Sequence, residues 1–182
     1  MIPARVFLDT SVLQALHTYG EFIYDGDELD GRARILTVPD GVANLNALRE
    51  AIRVWGRGQF QLALSRASMN EVLDRGHSDF LRWAGEMMAY KDDWLLTFAP
   101  AERLPTAKTT RLAAKLDGAS FGYLASKDRL LLKDAVLLGC DVFLTMERKL
   151  PKNAEHIRHH FGIAVVQPVS YWQLLAPWAG LF

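Results

Sequence analysis

A chain of 182 residues, half of them hydrophobic and 23% charged, holds enough apolar material for one packed domain and too much for a disordered segment. Its 21 basic and 21 acidic residues cancel, so bulk charge gives no signature of polyanion binding. The single cysteine, Cys140, excludes an internal disulfide; it lies in an apolar run, reads as packing, and fits a reducing compartment.

Charges interrupt every apolar stretch well short of a membrane span. Met1-Ile2-Pro3-Ala4-Arg5 leads directly into a strand-like run rather than a secretory core. A soluble, cytoplasmic protein with no membrane partner is expected.

Arg5-Val6-Phe7-Leu8 is a short apolar run of the kind that forms a buried parallel strand, and it ends at Asp9. Ser11 is placed to cap a following helix that would bury Val12, Leu13 and Leu16. From Tyr19 to Pro39 the chain turns polar, glycine-containing and acidic, and reads as an exposed loop or lid. Val42 to Val54 has helical spacing and ends near Gly56 and Gly58. Phe60 to Leu64 reads as a second strand, and Ser65 to Leu73 as a turn into a helix carrying Glu71. Asp79 to Tyr90 is helical, and Trp94 to Ala99 is a candidate third strand before a loop marked by Pro100 and Pro105.

Thr106 to Leu116 places Lys108, Arg111 and Lys115 on one helical face, with Gly118 as its stop. Ser126 is a candidate N-cap for a helix through Leu138, and Gly139 its C-terminal stop. Val142 to Leu144 is another buried strand, ending at Thr145. Lys149 to Phe161 reads as loop and helix, Ile163 to Val166 as the last strand, and a helical piece containing Trp172, Leu175 and Trp178 follows. Strands alternating with helices predict an α/β fold with a central, mainly parallel sheet, in one domain over residues 1–182.

In such folds ligands gather beyond the carboxyl ends of the strands. Asp9 falls just past the first strand and Glu147 just past the Val142–Leu144 strand. Asp128 falls in the first turn of the helix feeding that strand, where the dipole favours negative charge. Glu71 falls in the helix after the second strand. Each has a plainer reading alone: Asp9 as a helix cap, Asp128 as a first-turn charge, Glu71 and Glu147 as surface. Four carboxylates on one rim repel unless a cation neutralises them. Oxygen-only ligands select hard cations, Mg²⁺ or Mn²⁺, which activate water and stabilise both oxygens of a phosphodiester displacement.

Four segments carry a resemblance. Arg5-Val-Phe-Leu-Asp9-Thr-Ser-Val-Leu13 is similar to the opening strand of PIN domains, where apolar residues run into Asp-Thr/Ser-Ser/Asn. Ser68-Met-Asn-Glu71-Val-Leu73 resembles the family's second segment. Asp128 to Leu150 resembles the third: an Asp, Ala135 seven residues on, the turn at Gly139, a short strand, then Thr145-Met-Glu147. Val165-Val-Gln-Pro168-Val-Ser-Tyr-Trp is similar to the closing strand, proline and helix. The fourth acid is usually Asp in the family and is Glu147 here.

The resemblance implies a PIN-like three-layer α/β/α fold with helical insertions at about 19–57 and 74–120. It implies a metal-dependent ribonuclease with RNA as substrate. Asp9, Glu71, Asp128 and Glu147 would hold the metal, and Thr145 and Ser11 would support them by hydrogen bonds. Family habit adds the toxin role of a toxin–antitoxin pair, with an antitoxin as partner; separately, the apolar C-terminal residues Trp172, Leu175, Trp178, Leu181 and Phe182 could cover either the sheet or the partner in a homodimer. A catalytically weak or inactive RNA-binding scaffold is the alternative reading, motivated by Glu147 and the zero net charge.

Other features are weaker. Asp134 lies six residues after Asp128, well round an ideal helix, and is left out of the ligand set. Arg148, Lys149 and Lys152 follow the acids directly and are candidates for RNA phosphate contact, as well as for an ordinary solvated loop. Residues 1–50 carry eight acids and four bases, and residues 103–152 ten bases and five acids, an asymmetry that suits either a polyanion or a solvated surface. His156, His159 and His160 share a helical face without the further ligand a zinc site needs. A phosphoaspartyl enzyme using Asp9 would want a second Asp at position 11, which is serine, and no glycine-rich phosphate loop follows the first strand.

Overall fold

Short apolar runs become strands because both faces of a parallel sheet are buried, and five such runs pair here. The computed structural model describes residues 5–58, 60–65, 67–68, 78–90, 95–96 and 106–181. The strands are β1 (Arg5–Leu8), β2 (Gln61–Ala63), β3 (Leu95–Leu96), β4 (Val142–Leu144) and β5 (Ala164–Val166). All pair in parallel, in the order β3-β2-β1-β4-β5, with β3 at one edge and β5 at the other. The register sets Phe7 beside Ala63 on one flank and beside Phe143 on the other.

The helices are α1 (Thr10–Thr18), α2 (Gly41–Trp55), α3 (Ser78–Tyr90), α4 (Ala107–Ala114), α5 (Ser126–Leu137), α6 (Ala154–Phe161) and α7 (Pro168–Leu175). They cover both faces of the sheet. Strand alternation divides the core accordingly. Val6, Leu8, Val142 and Leu144 join α1, α2, α3 and α7 in one cluster. Phe7, Ala63, Phe143 and Val165 join α4, α5 and α6 in the other, with the Phe7 and Phe143 rings stacked at 5.1 Å.

α2 is central to the first layer. Leu45, Leu48, Ala51 and Trp55 are buried, and the Trp55 indole N–H donates to the Tyr171 hydroxyl on α7 at 2.9 Å. Asn44 accepts from the Val169 amide at the start of α7 at 3.1 Å. α2 begins at a close approach only glycine permits: a Cβ on Gly41 would collide with the Ile35 carbonyl.

Three local expectations differ. The segment from Tyr19 to Pro39 is not all exposed loop: a π turn (Glu21–Asp25) and a 3-10 turn (Arg34–Thr37) bury Ile23 and Ile35. Their apolar side chains drive the segment onto α2, where the glycines and acids suggest exposure. The N-cap of α5 is Ala125, with Ser126 the first helical residue and no side-chain cap. Ser11 does not cap α1: Asp9 holds the N-cap position, and the Ser11 oxygen accepts the Met146 amide while its proton goes to the Asp9 carboxylate. Among the described residues no helix is long and apolar enough to cross a membrane.

Candidate functional site

The strand order reverses direction at β1, whose neighbours are β2 and β4. Crossovers leave in opposite senses there, and the space beyond the carboxyl ends of β1 and β4 is the usual ligand position in parallel α/β sheets. Asp9 stands at that point. Its amide extends the ladder by donating to Leu144 O at 3.0 Å, and its carbonyl starts α1 by accepting from Val12 and Leu13.

The Asp9 carboxylate makes no capping bond to the helix it precedes. Oδ2 instead accepts from Ser11 Oγ and from Thr145 Oγ1, both at 2.6 Å. Those hydroxyl oxygens are themselves acceptors: Ser11 Oγ takes the Met146 amide and Thr145 Oγ1 the Glu147 amide, each at 3.0 Å. Two parallel relays result, each running from an amide through a hydroxyl to one carboxylate oxygen. Both hydroxyl protons are committed to Asp9, so the 3.2 Å approach of the two hydroxyl oxygens is a contact rather than a further bond. Charge-assisted bonds of this kind are short and strong, and polarised chains reinforce each other. Asp9 is 7% exposed and Thr145 fully buried, so the carboxylate's orientation is set by protein rather than water.

Alternation places Asp9, two residues past Phe7, and Thr145, two past Phe143, on the α5 side of the sheet. Asp128, in the first turn of α5, precedes Leu131, Leu132 and Ala135 at i+3, i+4 and i+7. All three are buried against the sheet, so the half-buried Asp128 shares the sheet-facing stripe of its helix. Glu147 is exposed and reaches the network through its backbone amide. Arg148, Lys149 and Lys152 are exposed around the buried Leu150. Glu71 lies outside the described residues. Among the described residues, no group of three or more His, Cys, Asp or Glu side chains is placed to hold a metal ion.

One group that sequence reasoning leaves aside belongs to this neighbourhood. Continuing the β1/β2 register by two residues puts Ser65 across from Asp9. The buried Ser65 hydroxyl accepts from the Ser68 amide at 3.1 Å and bonds the Asp134 side chain of α5. Burial pushes the Asp134 carboxyl above the ordinary range, while the Ser65 bond and the Lys133 charge pull the other way. Ser68 Oγ is fully buried with no hydrogen-bond partner among the described residues. A signal exists in the sequence: Ser65, Asp9 and Thr145 each sit two residues beyond matched strand positions, which puts them in one row.

The described polar side chains around Asp9 (Ser11 and Thr145, with Ser65 in the same row) offer oxygen atoms, a donor type that suits a hard divalent cation rather than zinc or copper. Comparison with protein-family models, with curated proteins and with solved structures finds no match for this chain.

Proposed function

We propose that the chain is a PIN-like, metal-dependent ribonuclease that hydrolyses RNA phosphodiesters beyond the carboxyl ends of β1 and β4. The observation that carries this reading is Asp9: a nearly buried acid at the switch point of a parallel sheet, not used as a helix cap, and fixed through one oxygen by two hydroxyls. The orphan amides of α1, the usual partners of an acid at this position, receive no bond from it.

In this reading Asp9, Glu71, Asp128 and Glu147 hold Mg²⁺ or Mn²⁺. The bound ion supplies a lowered pKa for water and neutralises charge on the phosphate. Thr145 and Ser11 keep the Asp9 carboxylate from rotating, so it presents one orientation to whatever binds. The N-termini of α1 and α5 add partial positive charge at the same rim, which favours an anionic substrate.

The test is cleavage of a labelled RNA in Mn²⁺ by the wild type, Asp9→Asn and Asp128→Asn. Loss of cleavage in both variants, with folding retained, supports the reading. Equal behaviour of all three removes catalysis and leaves an RNA-binding scaffold.

A further inference from the structure

Away from Asp9, charge and ring packing meet on α6. The helix carries Glu155, His156, Arg158, His159 and His160 around a buried Ile157. Its outer side and the turn before it line an open hollow of about 710 Å³, formed by Lys152, Asn153, Glu155, His156, Arg158 and His159. One acid faces two permanent cations and two imidazoles. A concave surface of one dominant sign attracts polyanions.

Aromatic rings border the hollow. Tyr123 is 50% exposed, with its ring 5.8 Å from His156 and 6.2 Å from Phe121. Phe121 in turn contacts the rings of His156 at 5.3 Å and His160 at 5.4 Å. Tyr123 is thus held from behind while half its surface meets solvent. Because β4 and β5 are parallel, α6 runs back from the rim that bears Asp9. Lys152 follows Glu147 by five residues in sequence, so the turn that lines the hollow leads directly from the end of β4.

We propose that this hollow binds single-stranded RNA, with Lys152, Arg158, His156 and His159 contacting phosphates and Tyr123 stacking on a base. Sites for single strands pair a cationic groove with an aromatic platform in this way. A merely solvated basic helix accounts for the charges, but not for an exposed tyrosine braced against the histidines. The proposal rests on the nuclease reading only for the identity of the polymer.

The imidazoles add a signature. His160 is held below the ordinary histidine range by desolvation first, then by His156, His159 and Lys115. The charged or titratable groups around the three histidines are Lys115, Tyr123, Lys152, Glu155 and Arg158, while Asp117 is occupied by Lys133 at 2.7 Å. A bound phosphate offsets the positive charge that helps hold His160 down, so binding favours its protonated form and tightens as the pH falls from about 8 to about 6.

The experiment is fluorescence anisotropy of a labelled oligouridine RNA with the full chain in EDTA, so that metal-dependent cleavage plays no part. It is run across salt at both ends of that pH range. Lys152→Gln with Arg158→Gln lowers the salt slope by about 1.4, at roughly 0.7 per phosphate contact. Tyr123→Ala weakens binding about 5- to 100-fold and Tyr123→Phe does not. His160→Gln weakens the pH dependence. Unchanged thermal melts confirm that these surface variants fold. The proposal is overturned by absence of binding in EDTA or by a cation double variant that binds like wild type. It is equally overturned by indifference to Tyr123→Ala together with equal affinity for polyphosphate. Loss of cleavage in Mn²⁺ with binding intact would strike the nuclease reading and leave this one standing.

Discussion

Thr145 donates its hydroxyl proton to Asp9 Oδ2 at 2.6 Å across 136 residues of sequence, at the point where the sheet changes winding direction. The bond joins the ends of β1 and β4 on the side covered by α5. It also ties the backbone amide of Glu147 to the same network, because Thr145 accepts that amide. Two of the candidate acids are therefore linked by one hydroxyl: the side chain of Asp9 and the main chain of Glu147.

Replacing Thr145 by valine keeps the shape and removes both functions of the hydroxyl. The Asp9 oxygen loses a donor and the Glu147 amide an acceptor, so a loss of about 1–3 kcal/mol is expected in urea unfolding. Thr145→Ser should recover most of it. An unchanged midpoint for the valine variant would show that the relay contributes nothing to folding.

Asp134 makes a pH prediction with a definite sign. Its folded-state pKa is raised, chiefly by desolvation. Between the unfolded and folded values the native state binds more protons, so stability falls as pH rises through that window. At neutral pH the ionised side chain is a penalty. Asp134→Asn can keep a bond to Ser65 without the charge. It is therefore expected to be at least as stable as wild type at pH 7, and to show a flatter stability profile from about pH 4 upward. Unfolding curves across pH check this; a variant markedly weaker at pH 7 would show the charge to be stabilising.

The strands are the most legible part of the chain. β1, β2, β4 and β5 each fall within an apolar run bounded by polar residues, because burial on both faces leaves no other pattern. The position of Asp9 follows from the same logic. Hydrogen-bond partners do not. Ser11 reads as a cap because capping is local, whereas its actual partners include Met146, 135 residues away. Asp134 is excluded by its angle from Asp128 on an ideal helix. That angle is real, but it turns Asp134 toward Ser65 past the end of β2, which only strand register reveals. Tyr19 to Pro39 misleads because composition records the exposed acids and misses two isoleucines that reach the core.

Tyr171 and Trp55 bridge α7 and α2 inside the first core layer, at 0% and 1% exposure. Burial pushes the Tyr171 hydroxyl upward, against the pull of the Trp55 bond, so it stays a neutral partner through the physiological range. Tyr171→Phe would leave the indole N–H buried and unpaired. A loss of about 1–3 kcal/mol is expected, with the aromatic packing retained. Urea unfolding measures the first and near-ultraviolet circular dichroism, to which all five tryptophans contribute, the second; equal stability would mean that water replaces the hydroxyl.

Cys140 gives a chemical probe of global opening. Burial pushes its thiol up to about 12, with Arg5 opposing and Asp141 adding to the shift. Thiolate is the reactive form, so the folded chain should resist a disulfide reagent at pH 8. Full reaction of the single thiol is expected in denaturant. Prompt labelling of the native protein would show that the turn between α5 and β4 opens locally.

Gly139 ends α5 in the left-handed region at φ +64, where Cys140 N bonds Ala135 O at 2.9 Å and Gly139 N bonds Val136 O at 3.0 Å. That pair of bonds is the Schellman closure, which favours glycine on conformational grounds alone. Gly139 carries a second constraint: a Cβ there would stand 3.1 Å from a guanidinium nitrogen of Arg5. That nitrogen donates to Leu138 O at 2.7 Å, while Nε donates to Gln61 at 2.8 Å, so the guanidinium has little room to retreat. Gly162 is the natural control, with φ +74 and nothing within 4 Å of where a Cβ would stand. Gly162→Ala should cost about 1–2 kcal/mol, the left-handed penalty by itself. Gly139→Ala should cost more. In an Arg5→Met background the excess should vanish and the two alanine costs should converge, a double-mutant comparison read from urea midpoints. Persistence of the excess without the guanidinium would place the constraint in the turn itself.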